Sequence, residues 1–123
     1  MYYFVSTKNF DGKILSPRIP VNRMNNEDEC TKRICVSQSI DGCLVATYYE
    51  VGEMVYVHSC ESNSVVSPST IQVEDSPFTG EQWITKPVLV TLFIKLKITE
   101  RIKRTASVDS RMAIDTYCYE VLC

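Results

Sequence analysis

One long alternation dominates this chain. Val88, Val90, Leu92, Ile94, Leu96, Ile98 and Ile102 fall on one parity, and Thr91, Lys95, Lys97, Thr99, Arg101 and Lys103 on the other. Successive side chains leave a strand on opposite sides, so this pattern predicts a strand with one buried and one wet face. Glu100 interrupts the apolar side, which marks a bend or the edge of a core. Drawn out as one strand, residues 88–104 would reach roughly 55 Å, more than a small domain offers. The segment therefore has to bulge, twist strongly, or project its far end as a ribbon. A polar loop over 104–111 then leads into a last strand over 112–122, the natural hairpin partner.

The rest of the chain reads as short extended pieces around one helix. Residues 2–6 are aromatic and then β-branched, a strand pattern. Asp11 and Gly12 mark a turn before a short strand at 13–15. Pro17 and Pro20 hold the next stretch extended. Residues 22–31, with Asn25, Asn26, Glu27, Asp28 and Glu29, read as an exposed loop or one helical turn. Residues 34–36 form an apolar, β-branched run that suits a strand. Ser39 is a good N-cap, Asp41 sits in the first turn, and Ile40, Cys43, Leu44 and Thr47 follow helical spacing. After a turn at Val51, Gly52 and Glu53, residues 54–59 alternate Val55 and Val57 against Tyr56 and His58. A Ser-rich loop, a short strand at Ile71 and Val73, a break at 76–80 and a restart over 81–84 complete the pass.

The resulting class is α+β: twisted, mostly antiparallel β-sheets of six to eight strands, one main helix and a long C-terminal β-hairpin. At 123 residues it reads as a single domain, 1–123.

Composition narrows the setting. The apolar fraction of 45% is that of a globular chain. No run of 18 apolar residues exists, and the start lacks a signal-peptide pattern, so no membrane is expected and the localisation reads as cytoplasmic. The six cysteines form no Cys-x-x-Cys pair, and His58 is the one histidine. Paired metal ligands are missing and reduced thiols are expected, with Cys35 and Cys43 on apolar faces. Net charge is −2, yet residues 86–104 carry six basic side chains against Glu100 alone. That is either the solvated face of a long strand or a patch that attracts phosphate. Overall acidity argues against general DNA or RNA binding.

Catalytic constellations are scarce. A serine triad would need His58, and no Gly-x-Ser-x-Gly elbow is present. Cys60 lies two residues beyond His58 on the same strand face, a possible Cys–His pair, although His58 reads as a half-exposed strand residue. Gly12, Gly42, Gly52 and Gly80 make no phosphate-binding loop. The strand–helix unit at 33–46 gathers amides and hydroxyls where a phosphate or ribose could sit. Arg18, stiffened between prolines, and Arg33, at the mouth of that unit, suit bidentate phosphate contact.

Several motifs carry a family resemblance. They are the aromatic strand at 3–6, the run Leu15, Pro17, Arg18, Ile19, Pro20, and Thr31, Arg33, Ile34, Cys35 with its serine turn and helix. Tyr56, Val57, His58 and then Thr79, Gly80, Glu81, Trp83 follow. In this the chain resembles a group of small bacterial and phage proteins, and the order of the motifs is similar to a compact ADP-ribosyltransferase fold. The resemblance implies a pocket for NAD or an ADP-ribose-type nucleotide. Ser6, Arg18, Arg33, Ser37, Ser39 and Trp83 would bind the nucleotide, and Glu81 would be the catalytic carboxylate that stabilises positive charge as nicotinamide leaves. Phe4 stands where that family carries His or Arg, and Thr79 stands two before Glu81. Two outcomes stay open: an ADP-ribosyltransferase or NAD-glycohydrolase-like activity, or a pocket without the chemistry. The alternative from another class is a non-enzymatic phage or mobile-element inhibitor. It would bind a host defence protein or sequester a nucleotide signal, through the acidic loop or the projecting ribbon. A homo-oligomer built on that ribbon is a third possibility.

Overall fold

The computed structural model describes residues 1–19, 32–68, 80–105 and 113–122. The acidic loop at 22–31, the short strand at Ile71 and Val73, Thr79 and the loop at 106–112 lie outside them. The described residues form β1 (Tyr2–Ser6), β2 (Ile14–Leu15), β3 (Ile34–Val36), α1 (Ile40–Val45), β4 (Met54–Cys60), β5 (Val65–Val66), β6 (Gln82–Ile84), β7 (Val88–Leu89), β8 (Thr91–Thr105) and β9 (Ala113–Leu122). The fold is mostly antiparallel sheet with one short helix. The strands divide into sheets of four (β1-β4-β8-β9), two (β2-β7) and three (β3-β6-β5), which corrects the expectation of six to eight strands acting together. All five strands of the two smaller sheets are only two or three residues long, and Pro17 and Pro87 cannot donate to a ladder.

Single-residue bridges join these ladders into a ring. Tyr3 and Ser37 exchange both backbone bonds, at 2.7 and 3.1 Å, and Arg18 and Arg33 exchange theirs at 3.1 and 2.9 Å. β7 runs into β8 through Val90, so a circuit leads by pairing from β1 to β4 and β8, along the chain to β7, and by pairing again to β2, through the Arg18–Arg33 bridge to the start of β3, and back to β1. Inside lie Ile34, Val36, Cys60, Ile84, Val88 and Val90, with Tyr2, Phe4 and Phe10 against them. The other face of the four-stranded sheet carries a second core of Leu44, Tyr49, Val55, Val57, Leu96, Ile98 and Tyr117. β1 serves both, since Phe4 packs on the first core and Tyr3 and Val5 on the second.

The continuous run from β7 through Val90 into β8 serves both cores and switches between them at the first of two bulges. Leu92 faces His58 and Ile94 faces Val57, which leaves Phe93 as the extra residue. Ile98 faces Tyr119 and Glu100 faces Cys118, which leaves Thr99 extra. An inserted residue switches the side on which later even positions emerge. Val88 and Val90 therefore enter the ring core, while Leu96 and Ile98 of the same parity enter the second. Past Thr99, Glu100 is exposed, and Arg101 comes opposite Tyr117 with its guanidinium 4.4 Å over the Tyr48 ring. Gly52 and Glu53 still bond to Ile98. From residue 99 onward only β9 pairs with β8 among the described residues, and that part of β8 makes a ribbon about 23 Å long.

α1 begins as its sequence predicts. Ser39 is extended, at φ −127° and ψ 145°, and its hydroxyl accepts the Gly42 amide at 3.0 Å. Among the described residues no helix is long and apolar enough to cross a membrane.

Candidate functional site

Antiparallel pairing sets Cys35 of β3 opposite Trp83 of β6. Arg33, two residues before Cys35, shares its side of the strand. The Arg33 guanidinium lies 4.3 Å over the centre of the Trp83 ring. The indole Nε1–H donates to Glu81 Oε2 at 2.8 Å. Guanidinium, indole and carboxylate thus form one continuous contact. Arg33 and Trp83 are each 1% exposed, so each covers the other and neither offers a face to solvent.

Ser37 and Ser39 lie beside this cluster. Ser37 is buried, and its Oγ accepts the Ser39 amide at 3.3 Å. A Cβ added at Gly80 would stand 3.4 Å from Ser37 Oγ, and Gly80 has a φ of +64°, so the approach to Glu81 requires glycine. Arg18 joins through its backbone bonds to Arg33, with its side chain exposed at the rim. Ser6 does not join. It pairs with Tyr56 at the far end of β1, and its hydroxyl accepts the Lys8 amide at 3.0 Å. The structure joins Arg33, Trp83 and Glu81 by side-chain contact, ties Arg18 to Arg33 by backbone alone, sets Ser37 next to Gly80, uses the Ser39 hydroxyl as the cap of α1, and leaves Ser6 apart.

His58 is fully buried, which corrects its reading as half-exposed. Both faces of the four-stranded sheet are covered, so alternation could not have put it in water. Nε2 accepts the Phe10 amide at 2.8 Å, and Nδ1 faces the Phe4 carbonyl at 3.2 Å. Those partners assign the neutral ring with its proton on Nδ1. Burial pushes its pKa below the usual value, against the opposing pull of the Phe4 carbonyl and Asp11. Cys60 donates weakly to the Tyr2 carbonyl at 3.8 Å, and burial, with Glu61 nearby, pushes its thiol up to about 11. With both ring nitrogens committed to backbone, His58 is not placed to activate that thiol. Cys43 donates to the Tyr3 carbonyl at 3.2 Å and is pushed up to about 12, mainly by burial. Cys35, Cys43, Cys60 and Cys118 are free thiols, and no metal-holding cluster exists among the described residues.

The basic run on β8 is partly balanced by its partner strand. Glu120 stands opposite Lys97 and Asp115 opposite Lys103. Sequence reasoning had no access to either the cross-strand charge pairing or the Arg33–Trp83 stack, because both depend on register between remote segments. No known protein family, curated protein or solved structure matches this chain.

Proposed function

We propose that this chain works by binding a protein partner, without chemistry of its own, and that the β8–β9 ribbon is its contact element. The observation that carries this reading is the Arg33–Trp83 stack. The two residues best suited to grip a phosphate and a base are spent on each other inside the protein. His58, Cys43 and Cys60 are likewise committed to backbone partners. The ribbon, by contrast, extends beyond the sheet and exposes Glu100, Arg101 and Lys103. Mixed charge of this kind suits a protein surface better than a uniformly anionic polymer. A host defence protein, the partner of the non-enzymatic alternative, is the first to test.

The test compares the wild-type chain with Arg101→Glu combined with Lys103→Glu. Proteins captured from bacterial lysate are identified, purified and titrated against both. At least a tenfold weaker affinity for the double variant, with the circular dichroism of the wild type retained, supports the reading. Calorimetry with NAD and ADP-ribose is the counter-experiment. Saturable heat with either ligand would replace this reading with a nucleotide-binding one on an ADP-ribosyltransferase-like fold.

A further inference from the structure

We propose that His58 is an acid-released latch for the turn at Phe10 and Asp11. The turn is held at three points. The Phe10 amide donates to His58 Nε2, the Asp11 carboxylate accepts the Leu92 amide at 2.8 Å, and Gly12 and Lys13 exchange bonds with Val90 at 2.9 and 3.0 Å. β2 follows at once and pairs with β7. The His58 contact is thus the first tooth of a zipper that closes the ring of strands. Its acceptor is an imidazole nitrogen, which a single proton turns into a donor. Protonation at Nε2 leaves that nitrogen facing the Phe10 N–H donor to donor. The ring sits between Phe4 and Phe10, at centroid distances of 5.6 and 5.9 Å, where water cannot take over the lost bond.

Other groups around the ring modulate the effect. On β4, Tyr56 and Cys60 share its side. β1 contributes Tyr2 and the Phe4 carbonyl, the turn contributes Asp11 and Lys13, and the β8 partner is the apolar Leu92. Asp11 favours the imidazolium, yet burial outweighs it. Folding with the turn docked therefore prefers the neutral ring. The latch is whole above about pH 6.5, where a free histidine is neutral, and is lost as pH falls through the lower value that holds in the docked state. Release lifts Phe10 off the ring core and frees β2 from β7. Acid would thus uncover an apolar surface that neutral pH keeps closed.

Residue-resolved amide exchange, corrected for intrinsic rates, tests this at about pH 7.5 and about pH 5. In the wild type, protection at Phe10 and Gly12 should fall at least tenfold on acidification, while Val57 and Leu96 keep theirs. His58→Gln offers an acceptor that does not titrate, so its protection should stay at both values. His58→Phe offers none and should be open at both. The latch is overturned if wild-type protection does not fall, if it falls equally in His58→Gln, or if Val57 and Leu96 lose protection together with Phe10. The comparison of wild type with His58→Gln decides the matter even if His58→Phe fails to fold.

Discussion

The Tyr117 hydroxyl accepts the Tyr49 amide at 3.0 Å and donates to the Thr47 carbonyl at 3.1 Å. The two tyrosine rings meet edge to face, 5.7 Å apart. One phenol thereby ties the chain after α1 to β9, and so holds the helix over the second core. Tyr117→Phe keeps the ring and removes both bonds. It leaves a buried amide without its partner, which costs about 1–3 kcal/mol. Urea denaturation should show that loss with an unchanged slope. A loss under about 0.5 kcal/mol would mean that the hydroxyl ties nothing down.

Burial also makes this pair sensitive to alkali. Tyr49 is pushed up to about 12, first by burial, and Tyr117 is raised for the same main reason. An unfolded tyrosine ionises near pH 10. The folded state therefore prefers the neutral phenols. Their contribution to stability is complete below about pH 10 and drains away as pH rises toward the folded value. Cys43 and Cys60 are shifted in the same direction and add to the slope. Urea midpoints measured across this range should fall, and tyrosinate absorbance should lag behind that of free tyrosine. Midpoints that stay flat to pH 12 would contradict the burial argument.

Trp83 is the single tryptophan of the chain, so its fluorescence reports on one contact. Trp83→Phe loses the indole bond to Glu81 and weakens the stack under Arg33. The expected cost is about 1–3 kcal/mol. The native wild-type emission should be that of a buried indole and should move to the red only on unfolding. Emission already red in the native protein would place the ring in water, and would reopen the case for base stacking.

Local chemistry was legible in the sequence and long-range register was not. The Ser39 cap, the turn at Asp11 and Gly12 and the terminal hairpin follow from residues a few positions apart, and they stand where that chemistry puts them. The burial of His58 does not follow from alternation, which says which side a residue faces but not what covers that side. The sequence named Arg33, Glu81 and Trp83 as pocket residues, but not that they contact one another. Which ring lies on which cation is decided by the pairing of β3 with β6. The two bulges do leave a mark: one falls where Glu100 breaks the apolar alternation, as expected, and the other at Phe93, an apolar residue on the wet parity.

Those bulges yield the most discriminating prediction. Phe93 is the unpaired residue between Leu92 and Ile94, and its ring is half-exposed against Tyr3. Deleting it lets Leu92 and Ile94 follow one another as ordinary neighbours on opposite faces. Val88 and Val90 keep the first core, and Ile94, Leu96 and Ile98 keep the second. The cost is the ring contact with Tyr3, about 1 kcal/mol. Deleting Lys97 removes a paired residue instead: with the Phe93 bulge kept, Ile98 turns out of the second core, and with the bulge absorbed Leu96 does. That should cost more than about 4 kcal/mol or prevent folding. Near-ultraviolet circular dichroism and urea denaturation distinguish the two outcomes. Equal damage from both deletions would show that the side on which the apolar residues emerge is not what divides the β7–β8 run between the two cores.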